Sequence, residues 1–278
     1  LWGPVGGADF IPFAFLKYMG FKAFFNESLY FFINLLSKVS LLSFSKNLNL
    51  KSLILRTNSS LKMFKKEKFN SISVISETAS REIENISFKS KGLNGELYVV
   101  CIGRLNYWKG FLLAVKGFHL FLNNGGLGKL ELYGDGSELK KIKAYIDKNN
   151  LNDKIKIMGF VGNNKIKEVL LEANVLLHPS FRDGGSWSIM EAMSYGLPVI
   201  CLDTSGPKDM VTTDCGLLIS LKSQNQVVKD IGIGLSKLLY DAEFYDMLCE
   251  NAHKRIKKDY TWEKRRQQTK IVYDSILE

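Results

Sequence analysis

The chain has little of what marks several functional classes. Its 278 residues contain four cysteines, Cys101, Cys201, Cys215 and Cys249, which form no C-x-x-C pair and no metal-ligand spacing with the three histidines. That argues against a disulfide framework and against a metal centre, and a reducing cytoplasm fits. Cys101 and Cys201 sit in apolar strand-like runs and read as buried thiols. No Ser-His-Asp or Cys-His set can be assembled. His119 and His253 read as structural or solvated, and His178, which precedes Pro179 and Ser180, reads as a hydrogen-bonded residue at a strand end. Long apolar runs are missing too. The most apolar stretch, Leu29 to Phe44, is interrupted by Asn34, Ser37, Lys38, Ser40 and Ser43, short of the roughly 20 apolar residues that a membrane span needs. A helix packed on a core or resting on a bilayer surface is the better reading. Residues 1 to 10 lack the basic start and apolar core of a signal peptide, and Leu stands first. Acidic residues are outnumbered, 28 against 38 Lys and Arg, for a net charge of +10. This favours anionic partners such as nucleotides or lipid headgroups. No nucleic-acid-binding motif accompanies the charge, so no nucleic acid partner is expected.

What is present is periodicity. From about residue 96 onward, short apolar runs alternate with segments of helical spacing. Strands are predicted at Glu96 to Ile102, Lys129 to Tyr133, Lys154 to Met158, Asn174 to His178, Pro198 to Leu202 and Gly216 to Ile219. Helices are predicted at Gly110 to Leu122, Ser137 to Asn149, Asn164 to Glu172 and Ser188 to Tyr195. Strands separated by helices of this length pair in parallel through right-handed crossovers, which predicts a doubly wound α/β sheet. Ligands bind such sheets at the carboxyl ends of the strands, where the strand order reverses. Residues 1 to about 90 are less regular, and Gly3 to Gly7 reads as a turn.

Candidate site residues cluster at predicted strand ends. GRLNYWKG follows the first strand and carries Gly103, Arg104 and Lys109 into a helix start, where an Arg that binds bidentately and a Lys point charge suit a diphosphate. YGDGSEL supplies Gly134 and Gly136, which would let a ligand approach the backbone closely. Phe160 and Val161 follow the third strand, Phe160 being either a base contact or a buried loop residue. Asp183 and Glu191 flank Gly184, Gly185 and Ser186 at the start of a helix, a place where backbone N–H groups and a positive helix end receive a phosphate. A carboxylate beside a phosphate is unfavourable unless it holds something else, and sugar hydroxyls are suitable partners. Together these point to a nucleotide sugar. Ser188 and Glu191 also have the spacing of a capping box, which would make Glu191 structural. Asp183 and Glu191 share one loop, so they do not form the acid and base pair of a glycoside hydrolase.

The run HPSFRDGGSWSIMEAMSYGLPVI resembles the signature of the retaining GT-B glycosyltransferases of family 4, also called glycosyl transferases group 1. Asp183 stands where most members have Glu and reaches one methylene less far, so the sugar preference is not carried over. The resemblance implies a GT-B fold with a complete C-terminal Rossmann-like domain at 93–258 and a partial N-terminal Rossmann-like domain at 1–92. A C-terminal helix at 259–278 would cross back to the N-terminal domain. WGPVGGADFIP resembles a mid-domain segment on the acceptor side, with Gly6 and Gly7 in it, and Leu53 to Phe64 resembles a later strand and helix. The chain is therefore expected to be N-terminally truncated. The implied activity is transfer of a sugar from a UDP-, GDP- or ADP-sugar to a hydroxyl of a glycan or lipid-linked acceptor, with retention and without metal or cofactor. Surface polysaccharide or glycolipid synthesis is the implied role. Arg104 and Lys109 would bind the donor diphosphate, Asp183 the sugar and Glu191 the ribose. The implied location is cytoplasmic, and the charge and apolar helices admit a peripheral contact with the inner face of a membrane. A GT-B-type nucleotide-sugar epimerase, disfavoured by the lack of a suitable His near the Asp183 loop, and a non-catalytic nucleotide-sugar-binding protein are the alternatives.

Overall fold

The computed structural model describes residues 2–5, 10–47, 52–64, 69–80 and 92–277. Six parallel strands form the larger sheet: β4 (Leu97–Ile102), β5 (Gly128–Tyr133), β6 (Ile155–Gly159), β7 (Val175–His178), β8 (Val199–Leu202) and β9 (Gly216–Ile219). Their order is β6-β5-β4-β7-β8-β9. The chain winds outward from β4 in one direction and then restarts at β7 on β4's other side. The order therefore reverses between β4 and β7, and a crevice opens at their carboxyl ends.

Alternation along each strand sends side chains to two cores. Leu97, Val99 and Cys101 of β4 join one core, with α3 (Phe111–Asn123), α4 (Leu139–Lys148) and α8 (Gln224–Tyr240) packed on it. Val100 of β4 faces the other, with α5 (Asn163–Glu172) and α6 (Trp187–Ser194). The helix α9 (Ala242–Asp259) serves both, Leu248 facing the first and Ile256 the second. All four cysteines are buried free thiols, and burial pushes Cys101 and Cys201 well above the usual thiol range.

The smaller sheet has three parallel strands, β1 (Trp2–Val5), β2 (Ser52–Leu55) and β3 (Ser71–Val74), in that order. Residues 2–5 thus form a strand where the sequence reads as a turn. Gly3 permits it: a Cβ there would lie 2.3 Å from the Ile54 carbonyl oxygen. After β2 the chain makes a 3-10 helix at Asn58–Met63. Between β1 and β2 come α1 (Phe13–Met19) and α2 (Phe21–Asn47). The last helix, α10 (Trp262–Leu277), returns to the small sheet. Val272 packs with Ile54 and Ile75, Arg265 Nε donates to the Thr78 carbonyl at 3.1 Å, and Ser80 N donates to the Tyr260 carbonyl at 2.8 Å. Among the described residues no helix is long and apolar enough to cross a membrane.

Candidate functional site

A cavity of about 870 Å3 opens at the carboxyl ends of β4, β5 and β6. Its lining brings together Gly103, Arg104, Gly134, Phe160, Val161 and Glu191, which come from four separate stretches of sequence. Arg104 and Glu191 are both exposed to it. Phe160 is 86% exposed, so it is a rim residue and not a buried loop aromatic. The same cavity is lined by Ser80 from beyond β3, and by Lys167, Trp187 and Tyr195, none of which the sequence patterns singled out. Their signal was periodic: Lys167 and Tyr195 follow Asn163 and Glu191 by four residues, one helical turn on the same face.

Lys109 and Asp183 stand apart from that lining. Lys109 Nζ lies 2.6 Å from Asp183 Oδ2, with side chains 19% and 12% exposed. Asp183 also accepts from His178 Nε2 at 3.1 Å. Because a carboxylate can only accept, Nε2 carries the imidazole proton. His178 is buried and further held by Ser186 Oγ at 3.3 Å and Ser188 Oγ at 3.4 Å. Burial pushes its pKa down, so the ring is a neutral donor. Burial alone would raise the Asp183 carboxyl, but the His178 hydrogen bond and the Lys109 ammonium outweigh it and hold the group well below the usual carboxylate range. His178 is thus the hydrogen-bonded strand-end residue that the sequence suggests; it stands at the Asp183 loop, enclosed, and serves to hold the acid.

The loops after β4 and β7 are joined to each other. Phe181 N donates to the Trp108 carbonyl at 2.8 Å. Gly110 has φ +67, and a Cβ on it would lie 2.0 Å from the Pro179 carbonyl oxygen. Glycine here is what lets the loop carrying Lys109 touch the loop carrying Asp183. Gly134 and Gly136 serve a similar end. Their Cβ positions would fall 1.9 Å from the Gly103 carbonyl oxygen and 2.7 Å from Leu105 backbone atoms, so close approach within the chain itself demands glycine before any ligand does. Gly184 and Gly185 face the small-sheet unit, where their Cβ positions would meet the Arg56 guanidinium at 3.0 Å and Thr78 Cγ2 at 2.9 Å. Gly6 and Gly7 lie outside the described residues. His119 and His253 are structural, bonded to Tyr145 Oη at 3.0 Å and to the Ser194 carbonyl at 2.8 Å.

The capping-box expectation is corrected. The N-cap of α6 is Ser186, whose Oγ accepts from Ile189 N, and not Ser188. With Trp187 as the first helical residue, Glu191 is the fifth and sits past the open N–H groups that a box would close. Ser186→Ala is expected to lower stability by about 1 kcal/mol. Glu191→Gln is expected to leave it within about 0.5 kcal/mol. Equal losses in thermal denaturation would restore a capping role for Glu191.

The family model described as Glycosyl transferases group 1 matches residues 82–255. The gpi3 subunit of phosphatidylinositol N-acetylglucosaminyltransferase from Schizosaccharomyces pombe is 26% identical over 187 residues, covering 67% of this chain and 40% of that protein. The amylovoran biosynthesis glycosyltransferase AmsK of Erwinia amylovora is 27% identical over 163 residues, 56% of this chain and 40% of AmsK. Among solved structures, the pneumococcal O-GlcNAc transferase GtfA in complex with UDP and GlcNAc superimposes with a TM-score of 0.68 at 17% identity, covering 84% of this chain and 47% of GtfA. Anabaena Alr3699/HepE in complex with UDP-glucose gives 0.64 at 17% identity, over 81% of this chain and 64% of HepE. The chain spans less than half the length of the two sequence relatives. The fold is that of the GT-B glycosyltransferases, with a six-stranded parallel sheet and a smaller parallel sheet.

Proposed function

Since this chain belongs to the glycosyl transferases group 1 family, we propose that it transfers a sugar from a nucleoside-diphosphate donor to a hydroxyl acceptor with retention at the anomeric carbon. The observation that carries this reading is the convergence of Arg104 and Glu191 on one 870 Å3 cavity beside the sheet's switch point. The nucleoside occupies that cavity, with Glu191 accepting from ribose hydroxyls and Phe160 and Val161 against the base. Arg104 neutralises charge growing on the leaving diphosphate, the kind of stabilisation that is usually the largest in group transfer. Lys109 shares its charge between Asp183 and the phosphate nearer the sugar. Asp183 and the N–H groups of Gly184 to Ser186 hold the sugar. The bond from the anomeric carbon to the phosphate oxygen breaks as the bond to the acceptor oxygen forms, and the acceptor's proton passes to the leaving phosphate. No protein nucleophile is required, and with two cations at the diphosphate we expect no metal requirement.

The thermal shift of the chain with UDP, GDP, ADP and CMP tests the reading. A ligand at 100 times its dissociation constant stabilises by about 2.7 kcal/mol. A shift with one diphosphate supports the donor site and names its class; no shift with any of them overturns the reading.

The acceptor in this proposal is a glycan or lipid-linked hydroxyl, as in surface polysaccharide or glycolipid synthesis, in keeping with the names of the two sequence relatives. We place the protein in the cytoplasm with a peripheral contact on the inner face of the membrane through α1 and α2. Phe13, Phe21, Phe25 and Phe32 are all more than half exposed there, and residues 10–47 carry four lysines against one acid. Apolar side chains with flanking cations suit an anionic interface. The chain is expected to float with vesicles containing anionic lipid at low salt, and Phe21→Ser/Phe25→Ser to stay at the bottom of the gradient. Wild-type chain that fails to float removes the membrane contact.

A further inference from the structure

The one acid in residues 10–47 is Glu27. It lies on the inward side of α2, 5% exposed, on a helix whose aromatic residues mostly face outward. A carboxylate so enclosed needs donors, and it has two. Its Oε1 accepts from Tyr107 Oη at 2.8 Å and from Arg182 Nη2 at 2.9 Å. These donors come from two different loops. Tyr107 is two residues before Lys109, and Arg182 is the residue before Asp183. Burial and the bond to Glu27 push the Tyr107 phenol up to about 12, so it remains a donor. The Arg182 guanidinium carbon also lies over the rings of Tyr30 at 4.3 Å and Trp108 at 5.5 Å. Beside the same junction, Phe15 of α1 meets Phe181, the residue before Arg182, edge-on at 5.1 Å.

Both arms of the Lys109–Asp183 pair are thus anchored, one and two residues away, to a single oxygen of α2. We propose that Glu27 is a positioning residue for the donor sugar: it fixes the loops after β4 and β7 so that Lys109 and Asp183 meet at one point beside the cavity. Glu27 lies outside the residues that match the family model, 82–255, and it touches neither the cavity lining nor the ion pair itself. The inference rests on the donor reading given above. It also makes α2 a mechanical link, since whatever moves that helix moves both loops together.

The consequence is selective. Glu191 and Arg104 address the nucleotide and are untouched by Glu27, whereas Asp183 addresses the sugar. Loosening Glu27 should therefore weaken binding of a nucleotide sugar more than binding of the matching diphosphate. A role confined to fold stability would weaken both alike or neither.

Titration calorimetry on the full chain decides it, using the pairs UDP and UDP-glucose, GDP and GDP-mannose, and ADP and ADP-glucose. For the pair that binds wild type, Glu27→Gln is expected to lower nucleotide-sugar affinity about tenfold while the diphosphate stays within about twofold, a loss of the size that small misplacements produce. Tyr107→Phe keeps the charge pair, leaves no unpaired ion and serves if Glu27→Gln does not fold; it is expected to shift the ratio in the same direction by less. Added to Asp183→Asn, Glu27→Gln should cost nothing further, because the two act on one contact. An unchanged ratio in the variant that folds, or additive losses with Asp183→Asn, overturns the positioning role alone. A wild-type chain that binds none of the six ligands overturns the donor reading, and the positioning role falls with it.

Discussion

Arg104→Ala should cost about a hundredfold or more in turnover, the loss seen when one well-placed charge stabiliser is removed, while the free chain melts as before. The two halves of that expectation come from one fact: Arg104 is exposed on the cavity wall. An exposed cation contributes within about 0.5 kcal/mol to folding. Lys109→Ala should behave differently, although both cations would face the same diphosphate. Lys109 is mostly buried against Asp183 at 2.6 Å, and removing it strands a carboxylate with only His178 beside it. Breaking a buried pair in this way costs about 3 to 5 kcal/mol of stability. Lys109→Ala/Asp183→Asn should recover much of the melting temperature, because no uncompensated charge remains, and none of the turnover. Chemical denaturation and initial rates on the three variants separate the cases. Arg104→Ala at full activity would remove the proposed mechanism, and Lys109→Ala at wild-type stability would mean that the pair is not formed in solution.

Gly110→Ala is the second large effect, and it acts on the backbone. The residue has φ +67, and its added methyl would sit 2.0 Å from the Pro179 carbonyl oxygen. The left-handed conformation alone costs a side-chain-bearing residue roughly 1 to 2 kcal/mol. Forcing two backbones apart adds about 1 to 3 kcal/mol. Gly125→Ala is the control, with φ +87 and nothing within 4 Å of its Cβ position; it should pay the conformational part only. The difference in stability between the two variants isolates the contact between loops. Gly110→Ala should also lose donor binding, since Lys109 rides on the displaced loop. Equal stability losses for the two variants would mean that the loops do not touch as described.

Much of the larger sheet was legible because its inner strands β4, β7 and β8 are buried along almost their whole length. Such strands read as short apolar runs bounded by glycine and polar residues, and the helices between them dictate parallel pairing. Arg104 and Phe160 were legible for a related reason: each follows a strand end closely, so topology alone carries it to the crevice, whereas Glu191 lies in the second turn of α6 and was legible through the spacing of its motif. The Lys109–Asp183 pair was not, because it depends on β4 and β7 being neighbours, and nothing local in either loop states that. The capping register failed where two serines competed. Ser188 has a Glu three residues later and Ser186 does not, and both hydroxyls reach His178, but Ser186 is the buried one of the two and its Oγ accepts from Ile189 N. Tertiary packing decided between two locally equivalent caps. β1 was missed because four residues containing Gly and Pro carry no strand periodicity; its partner β2 supplies the order. Glu27 left a faint trace, a single acid in a long apolar segment, which is the pattern of a charge that must find partners when buried. Its partners are 80 and 155 residues away, beyond the reach of local reading.

The return of α10 to the small sheet bears on how the molecule is made. Residues 97–219, which hold the six-stranded sheet, leave the ribosome before residues 262–277 do. β1 to β3 emerge before that sheet, yet Ile54 and Ile75 are covered by Val272, and Ser80 is tied to Tyr260. These strands thus wait for α10, with apolar surface open in the interval. Domains fold as units as they emerge during synthesis, so the six-stranded sheet is able to form before α10 covers the small sheet. A nascent chain that has cleared the ribosome through residue 259 would display the six-stranded sheet with its helices beside a small sheet still lacking α10, and that state is where chaperone engagement should concentrate.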